Sequence, residues 1–147
     1  QISGFPMRYI PPSDTHRGYI SSQWNWRYLR GIQCILQATH GLVSPNKEFM
    51  KAAFGDSFDD FLEILSMPDR YIIYRDHFRR NAAEDWLKEF RALTADDKDE
   101  FIKLLTILHR SKDRKTEIRK HRKFRSLIEH YYPNGTSLKM IGIKKEK

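Results

Sequence analysis

The densest group of side chains that could do chemistry lies near the N-terminus of this 147-residue chain. Asp14 and His16 are two residues apart, so they could pair as an oriented acid and base. Three arginines follow, and their planar guanidinium groups could hold a carboxylate or a phosphate by two hydrogen bonds each. The candidate substrate or partner contacts are therefore Asp14, His16, Arg17, Arg27 and Arg30.

A structural interpretation of the same stretch stays open. Asp14, Thr15 and His16 could instead fix the chain by local hydrogen bonds, with the neighbouring aromatic rings in the core. Trp26 and Arg30 are four residues apart, a spacing that permits cation–π contact on a helix. No nucleophile, metal-ligand pair or glycine-rich phosphate loop accompanies the group, so the sequence identifies no catalytic residue.

The second candidate is a basic segment further along the chain. Lys and Arg number 27 against 19 Asp and Glu, a net charge of +8, and nine basic residues fall between positions 110 and 125. The basic patch of this segment comprises Arg114, Lys115, Arg119, Lys120, Arg122, Lys123 and Arg125. It could bind nucleic-acid phosphates or an acidic partner, or it could be a solvated helix face. A nucleic-acid-binding module is thus an alternative function that rests on composition alone.

Metal and thiol chemistry have little support in the sequence. The single cysteine, Cys34, excludes an internal disulfide, a four-thiolate zinc site and an all-cysteine iron–sulfur cluster within this chain. None of the six histidines has another histidine three or four residues away, so no metal site is predicted. Cys34 lies in an apolar helical pattern, which favours a buried, unreactive thiol.

Location is predicted from the same composition. One cysteine is most simply explained by a reducing compartment, and no signal-peptide pattern is present. No apolar run approaches the roughly 20 residues of a membrane span, so no membrane partner is expected. We therefore expect a cytoplasmic protein.

The elements that must position these side chains are predicted to be helices. Prolines and glycines in residues 1–22 predict an extended N-terminal strap. Helix one is expected over residues 23–40, and later helices are expected to start at capping residues such as Ser57, Thr94 and Asp113. The predicted fold is all-α, with six to seven short helices in an irregular bundle behind the strap.

Three details of these helices are specific enough to test. Ser44 followed by Pro45 predicts a capped helix start. Phe58 shares a helical face with Phe61, Leu62 and Leu65, which predicts that this face packs against the rest of the protein. The last helix is expected to run without interruption from Asp113 to just before Pro133.

The chain is predicted to form one domain. Its parts are the strap (1–22), a helical body (23–133) and a basic tail (134–147). The strap carries more apolar surface than a free tail would, so we expect it to lie on the body. The start at Gln1 suggests that the domain is excised from a longer chain.

Several blocks of the sequence resemble a known family. The resemblance is carried by Asp14-Thr15-His16-Arg17-Gly18-Tyr19-Ile20 and Trp24-Asn25-Trp26-Arg27-Tyr28-Leu29-Arg30-Gly31-Ile32-Gln33, and it continues at residues 9–11, 38–41, 53–55, 67–75 and 127–132. These blocks are similar to the segment downstream of the catalytic barrel in bacterial radical SAM proteins, often those with an N-terminal cobalamin-binding domain.

The resemblance implies a parent enzyme that cleaves S-adenosylmethionine reductively with a [4Fe–4S] cluster, in some cases together with cobalamin. That cluster is held by a CxxxCxxC motif, which a chain with one cysteine cannot supply. The implied role is an accessory domain, excised or stand-alone, that packs on the radical SAM barrel of the same parent and binds no cofactor itself. No catalytic residue is carried over, and a plain protein-interaction scaffold remains a third possibility.

Overall fold

Helices dominate the computed structural model, which describes residues 8–75 and 82–132. Within these ranges 66% of the residues are helical and no strand occurs, so the all-α prediction is confirmed. The first seven residues of the strap and the whole basic tail lie outside the described residues. Residues 8–24 contain no helix.

Eight α-helices and one 3-10 helix occur in the part of the chain that the structure describes. In chain order the α-helices are α1 (Trp26–Ala38), α2 (Lys47–Phe54), α3 (Phe58–Ser66), α4 (Asp69–Ile73), α5 (Ala82–Arg91), α6 (Ala95–Arg110), α7 (Arg114–Lys120) and α8 (Arg125–Tyr131). The 3-10 helix, Arg122–Phe124, lies between α7 and α8.

Capping side chains set most of the helix starts. The side chains of Ser57, Thr94 and Asp113 each accept a hydrogen bond from the backbone N–H three residues on, which confirms the three starts predicted there. Helix one begins later than expected, at Trp26, because Asn25 Oδ1 accepts the backbone N–H of Tyr28 at 2.9 Å.

Two predicted boundaries were wrong. Asn46 caps α2 and accepts the N–H of Phe49. The expected cap, Ser44, lies two residues before it, and its hydroxyl accepts the N–H of Asn46. The last helix is not continuous, because His121 has φ −113° and ψ 54°, outside the helical region. This break turns Phe124 into the core, where it is buried.

The core consists of two clusters. The larger contains the stacked rings of Trp86 and Phe90, whose centroids are 4.6 Å apart, together with Phe101 and Phe124. The apolar stripe of α6 belongs to it and is buried, namely Phe101, Leu104, Leu105 and Leu108. The smaller cluster joins α1, α2, α3 and α4 through Cys34, Ile35, Ala53, Leu65 and Ile72.

Helices α1 and α3 approach each other closely at Gly31. A Cβ added there would lie 2.7 Å from both the Cα and the carbonyl oxygen of Leu65. Only glycine therefore fits at this crossing, and it brings the N-terminal half of α1 against the end of α3.

Candidate docking surface

Asp14 organises the turn at the middle of the strap. Its backbone N–H donates to the Pro11 carbonyl at 2.9 Å, and its Oδ2 accepts the backbone N–H of Tyr19 at 2.6 Å. Arg17 within this turn has φ 55°, a left-handed conformation that the surrounding bonds hold in place. Asp14 is thus used for local structure.

The structure does not bring Asp14 and His16 together as an acid–base pair. Within the described residues His16 makes no hydrogen bond or ion pair, and its side chain is exposed. The turn points the Asp14 carboxylate at the Tyr19 N–H, which leaves His16 without an orienting carboxylate. Asp14 makes the kind of local hydrogen bond that the structural interpretation expects.

Three aromatic rings lie exposed along this stretch. Tyr9 is 69% exposed, Tyr19 42% and Trp24 38%. Tyr9 and Tyr19 pack edge to face with centroids 6.1 Å apart. Together with the exposed side chains of His16 and Arg17 they form what we call the aromatic surface: Tyr9, His16, Arg17, Tyr19 and Trp24.

Trp26 ties this surface to the helical body. Its ring stacks on His109 with centroids 6.0 Å apart, and the guanidinium carbons of Arg8 and Arg110 lie 5.9 Å and 5.5 Å from its centroid. Arg8 also donates to the carbonyl of Arg17 at 2.5 Å. The contact with Arg30 that the spacing permits does not occur in the described residues. The cations that lie over the Trp26 ring are Arg8 of the strap and Arg110 of α6.

Arg27 is buried and Arg30 half-buried, and the two side chains meet at Asp69. Arg27, 9% exposed, donates to Asp69 Oδ1 at 2.8 Å and to the Leu65 carbonyl at 3.2 Å. Arg30 donates to Asp69 Oδ2 at 2.7 Å. Both arginines had been predicted as possible substrate contacts, and the structure uses them instead to join α1 to the start of α4.

The electrostatics of this junction follow from its geometry. Burial alone would raise the pKa of Asp69, but the charge of Arg27 and hydrogen bonds from both arginines outweigh it and lower the pKa below its ordinary value. The carboxylate is therefore ionised and holds two cations. Sequence analysis did not identify Asp69 as a partner of these arginines, because about 40 residues separate it from them.

Two tyrosines bring α8 to the same junction. The Tyr131 hydroxyl donates to the Ser66 carbonyl, and the Tyr131 ring lies 5.8 Å from the Arg27 guanidinium carbon. The Tyr71 hydroxyl lies 2.6 Å from His130 Nδ1. The sequence gives no local signal for these contacts, because more than 50 residues separate the partners.

Four side chains of the basic patch form hydrogen bonds or ion pairs within the protein, and three form no ion pair in the described chain. Arg114 donates to the Leu108 carbonyl and lies over Tyr132, and three others form ion pairs with nearby carboxylates, namely Lys120, Lys123 and Arg125. Lys115, Arg119 and Arg122 are exposed and have no ion-pair partner among the described residues. Three of the seven side chains of the patch therefore lack an ion-pair partner in the described chain.

Cys34 confirms the prediction of a buried thiol. Its exposed fraction is 0%, and burial raises its pKa to about 11. A thiol of that pKa is protonated at neutral pH and unreactive as a nucleophile. Within the described ranges no three His, Cys, Asp or Glu side chains are arranged to hold a metal ion.

An open apolar groove of about 790 Å³ lies between α1, α2 and α3. Ile32 and Leu36 form its floor on α1, and Met50, Phe54, Phe58 and Phe61 line its sides. Phe58, expected on the packed face of α3, is 70% exposed at the mouth of the groove. The groove is separate from the aromatic surface, which lies near the opposite end of α1.

No helix within residues 8–75 and 82–132 has both the length and the hydrophobicity that a bilayer crossing requires. No family model matches the sequence, and no curated protein and no solved structure is significantly similar to it.

Proposed function

We propose that this chain is a helical accessory domain that docks through the aromatic surface onto the catalytic barrel of a radical SAM enzyme in the bacterial cytoplasm. The observation that supports docking is the exposure of Tyr9, Tyr19 and Trp24 on a backbone held by hydrogen bonds. The identity of the partner is inferred from the resemblance to radical SAM proteins, because Asp14–Tyr19 and Trp24 lie within the longest blocks that carry it.

The composition of the aromatic surface suits protein recognition. Tyrosine, tryptophan and arginine are the residues most enriched at the energetic centres of protein interfaces. Their rings bury a large area with few rotatable bonds, so little side-chain entropy is lost on binding. The Asp14 turn and the Trp26 contacts have already ordered the backbone, which lowers the cost of association further.

The barrel and this chain would have different roles in such a complex. The barrel would supply the [4Fe–4S] cluster and S-adenosylmethionine, and cobalamin where the parent has that domain. His16 and Arg17 have exposed side chains that could contact the partner or a bound anion at the interface. Arg27 and Arg30 would act indirectly, by holding α1 and therefore Trp26 in place.

A calorimetric titration tests this proposal. The chain is titrated with a radical SAM barrel from the same source, expressed without this segment. We expect micromolar or tighter binding, and at least tenfold weaker binding for Tyr19→Ala and for Trp24→Ala, since interface anchors of this kind contribute about 2 kcal/mol or more.

Leu42→Ala is the matched control. Leu42 is an exposed apolar residue in the turn that follows α1, about 20 Å along that helix from Trp26. Its replacement should leave the affinity unchanged. Equal affinities for all three variants, or no binding by the wild type, would contradict the proposal.

A further inference from the structure

Positive side chains from two separate elements meet at the Trp26 ring, outside the basic patch. The guanidinium carbons of Arg8 and Arg110 lie 5.9 Å and 5.5 Å from the centroid of that ring, and the His109 ring stacks on it with centroids 6.0 Å apart. Arg8 comes from the strap, whereas His109 and Arg110 come from the end of α6. The fold therefore brings these groups together, and we call Arg8, Trp26, His109 and Arg110 the Trp26 cluster.

No carboxylate neutralises the Trp26 cluster within residues 8–75 and 82–132. Its two arginines and its histidine are exposed and form no ion pair there. On the strap side, Asp14 is the only Asp or Glu in the first 47 residues, and its Oδ2 is bonded within the strap turn. On the helix side, the Asp113 carboxylate caps α7. The positive charge at Trp26 is thus left uncompensated by the described chain.

The end of α6 does not explain this concentration of charge. Positive side chains are favoured at a helix C-terminus by the free carbonyl groups of the last turn. Two of these carbonyls are already bonded, that of Ile107 to the backbone N–H after the helix and that of Leu108 to the Arg114 guanidinium. Cation–π attraction to the ring favours each arginine of the cluster singly, but it does not remove the repulsion between them.

The donors of the cluster match a phosphate group better than a carboxylate. A phosphate monoester carries a charge of about −1.5 to −2 at pH 7 and three strong acceptor oxygens, so it can contact several donor groups at once. A carboxylate carries one negative charge and two oxygens, and a single guanidinium fork satisfies both. Two guanidinium groups from different elements therefore indicate an anion with the charge and the number of oxygens of phosphate.

We propose that Arg8, His109 and Arg110 form a binding site for a phosphate group beside the Trp26 ring. A phosphate bound there neutralises the two arginines and joins the strap to the end of α6. The site shares no residue with the aromatic surface or with the basic patch. It is therefore independent of the docking role, and it is tested without a partner protein.

A nuclear magnetic resonance titration of the full chain, labelled with ¹⁵N, tests the site. The ligand is inorganic phosphate at pH 7, with the ionic strength held constant by sodium chloride. We expect the indole N–H resonance of Trp26 to shift and to saturate with Kd of about 1 mM, an affinity that a few exposed charge-assisted hydrogen bonds can supply. Acetate, the carboxylate probe, should bind about tenfold more weakly because it carries less charge and fewer oxygens.

Two single variants and a matched control assign the binding to the cluster. Arg8→Gln and Arg110→Gln each remove one exposed guanidinium, and each should weaken phosphate binding by about tenfold, the usual effect of losing a hydrogen bond to a charged group. The control, Arg119→Gln/Arg122→Gln, removes two exposed arginines that also lack ion-pair partners in the described chain. It should leave the phosphate affinity at Trp26 unchanged.

Three outcomes would overturn the proposal. The first is a Trp26 shift that phosphate does not saturate, or that acetate produces with equal affinity. The second is an unchanged phosphate affinity in Arg8→Gln and Arg110→Gln. The third is an equal loss of affinity in the control variant, because that would show a general attraction of a positive chain for anions.

Discussion

Asp69 is the residue on which two arginines of α1 depend. Its two carboxylate oxygens are shared, one to Arg27 and one to Arg30. Asp69→Asn keeps the shape but removes the charge, so Arg27 is left almost fully buried without a counter-ion. We expect the free energy of unfolding to fall by about 2–3 kcal/mol, measured by urea denaturation followed by circular dichroism.

Asp56→Asn is the control for this variant, because Asp56 pairs with Lys51 at the exposed surface and its loss should not change the urea midpoint measurably. The pH dependence should differ too. Because the pKa of Asp69 is lowered in the folded state, its contribution is present above the ordinary value near 4 and is lost as pH falls through the folded value. A variant as stable as the wild type at pH 7 would refute this assignment.

Sequence analysis located the region of the candidate site better than the role of its residues. Asp14 was given two interpretations, and the structure selects the local hydrogen bond to Tyr19. Arg27 and Arg30 were indistinguishable from surface arginines, because their partner Asp69 is about 40 residues away and helical spacing does not reveal such a contact. Of the five candidates, Arg17 and His16 are exposed and make no side-chain ion pair in the described chain, whereas Arg30 is 39% exposed but held by Asp69.

At the scale of elements, the close crossing of α1 and α3 at Gly31 places Arg27 within hydrogen-bond distance of the Leu65 carbonyl. Gly31→Ala would place a methyl group 2.7 Å from the Leu65 backbone, so α3 must move. That shift should also strain the hydrogen bond from Arg27 to the Leu65 carbonyl. We expect a loss of about 1–3 kcal/mol in unfolding free energy, as for other overpacked cores.

Gly18→Ala is the matched glycine control, since a Cβ at that position meets nothing within 4 Å. Thermal unfolding of both variants separates a packing effect from a general effect of replacing glycine. Equal melting temperatures for the two would show that α1 and α3 are not in close contact at Gly31.

The helices themselves were largely predictable because their signals are local. Thr94 and Asp113 cap helices where a polar side chain precedes an otherwise helical pattern. Asn46 was overlooked in favour of Ser44, since two capping candidates two residues apart differ only in which backbone N–H each can reach. The break at His121 was not predictable, because it serves the burial of Phe124 against α6 and α8.

At the scale of the whole molecule, the net charge of +8 overstates the positive surface available to nucleic acid. Four residues of the basic patch are engaged within the protein, which leaves Lys115, Arg119 and Arg122 exposed without ion-pair partners in the described chain. We expect duplex DNA or RNA to bind only non-specifically, with Kd of roughly 10⁻⁴–10⁻⁶ M at physiological salt.

Titrations with duplex DNA and RNA at two salt concentrations measure this affinity. The test variant is Arg119→Ala/Arg122→Ala. The control is Lys120→Ala/Lys123→Ala, because both of these lysines form ion pairs within the protein. A preferred ligand with Kd on the order of 10⁻⁸ M, together with a salt dependence that only the arginine variant reduces, would favour the nucleic-acid-binding alternative over the docking role.

The bond between Tyr131 and Ser66 also has a consequence for biosynthesis. The smaller core cluster uses residues between Cys34 and Ile72, all of which leave the ribosome well before α8. The larger cluster cannot close until Phe124, Leu127 and Ile128 have been translated. Folding during synthesis should therefore begin at the groove side of the molecule and finish when Tyr131 reaches the end of α3. Nascent chains arrested before α8 would lack Leu127 and Ile128 and so leave the larger cluster, including Trp86 and Phe101, partly exposed to chaperones.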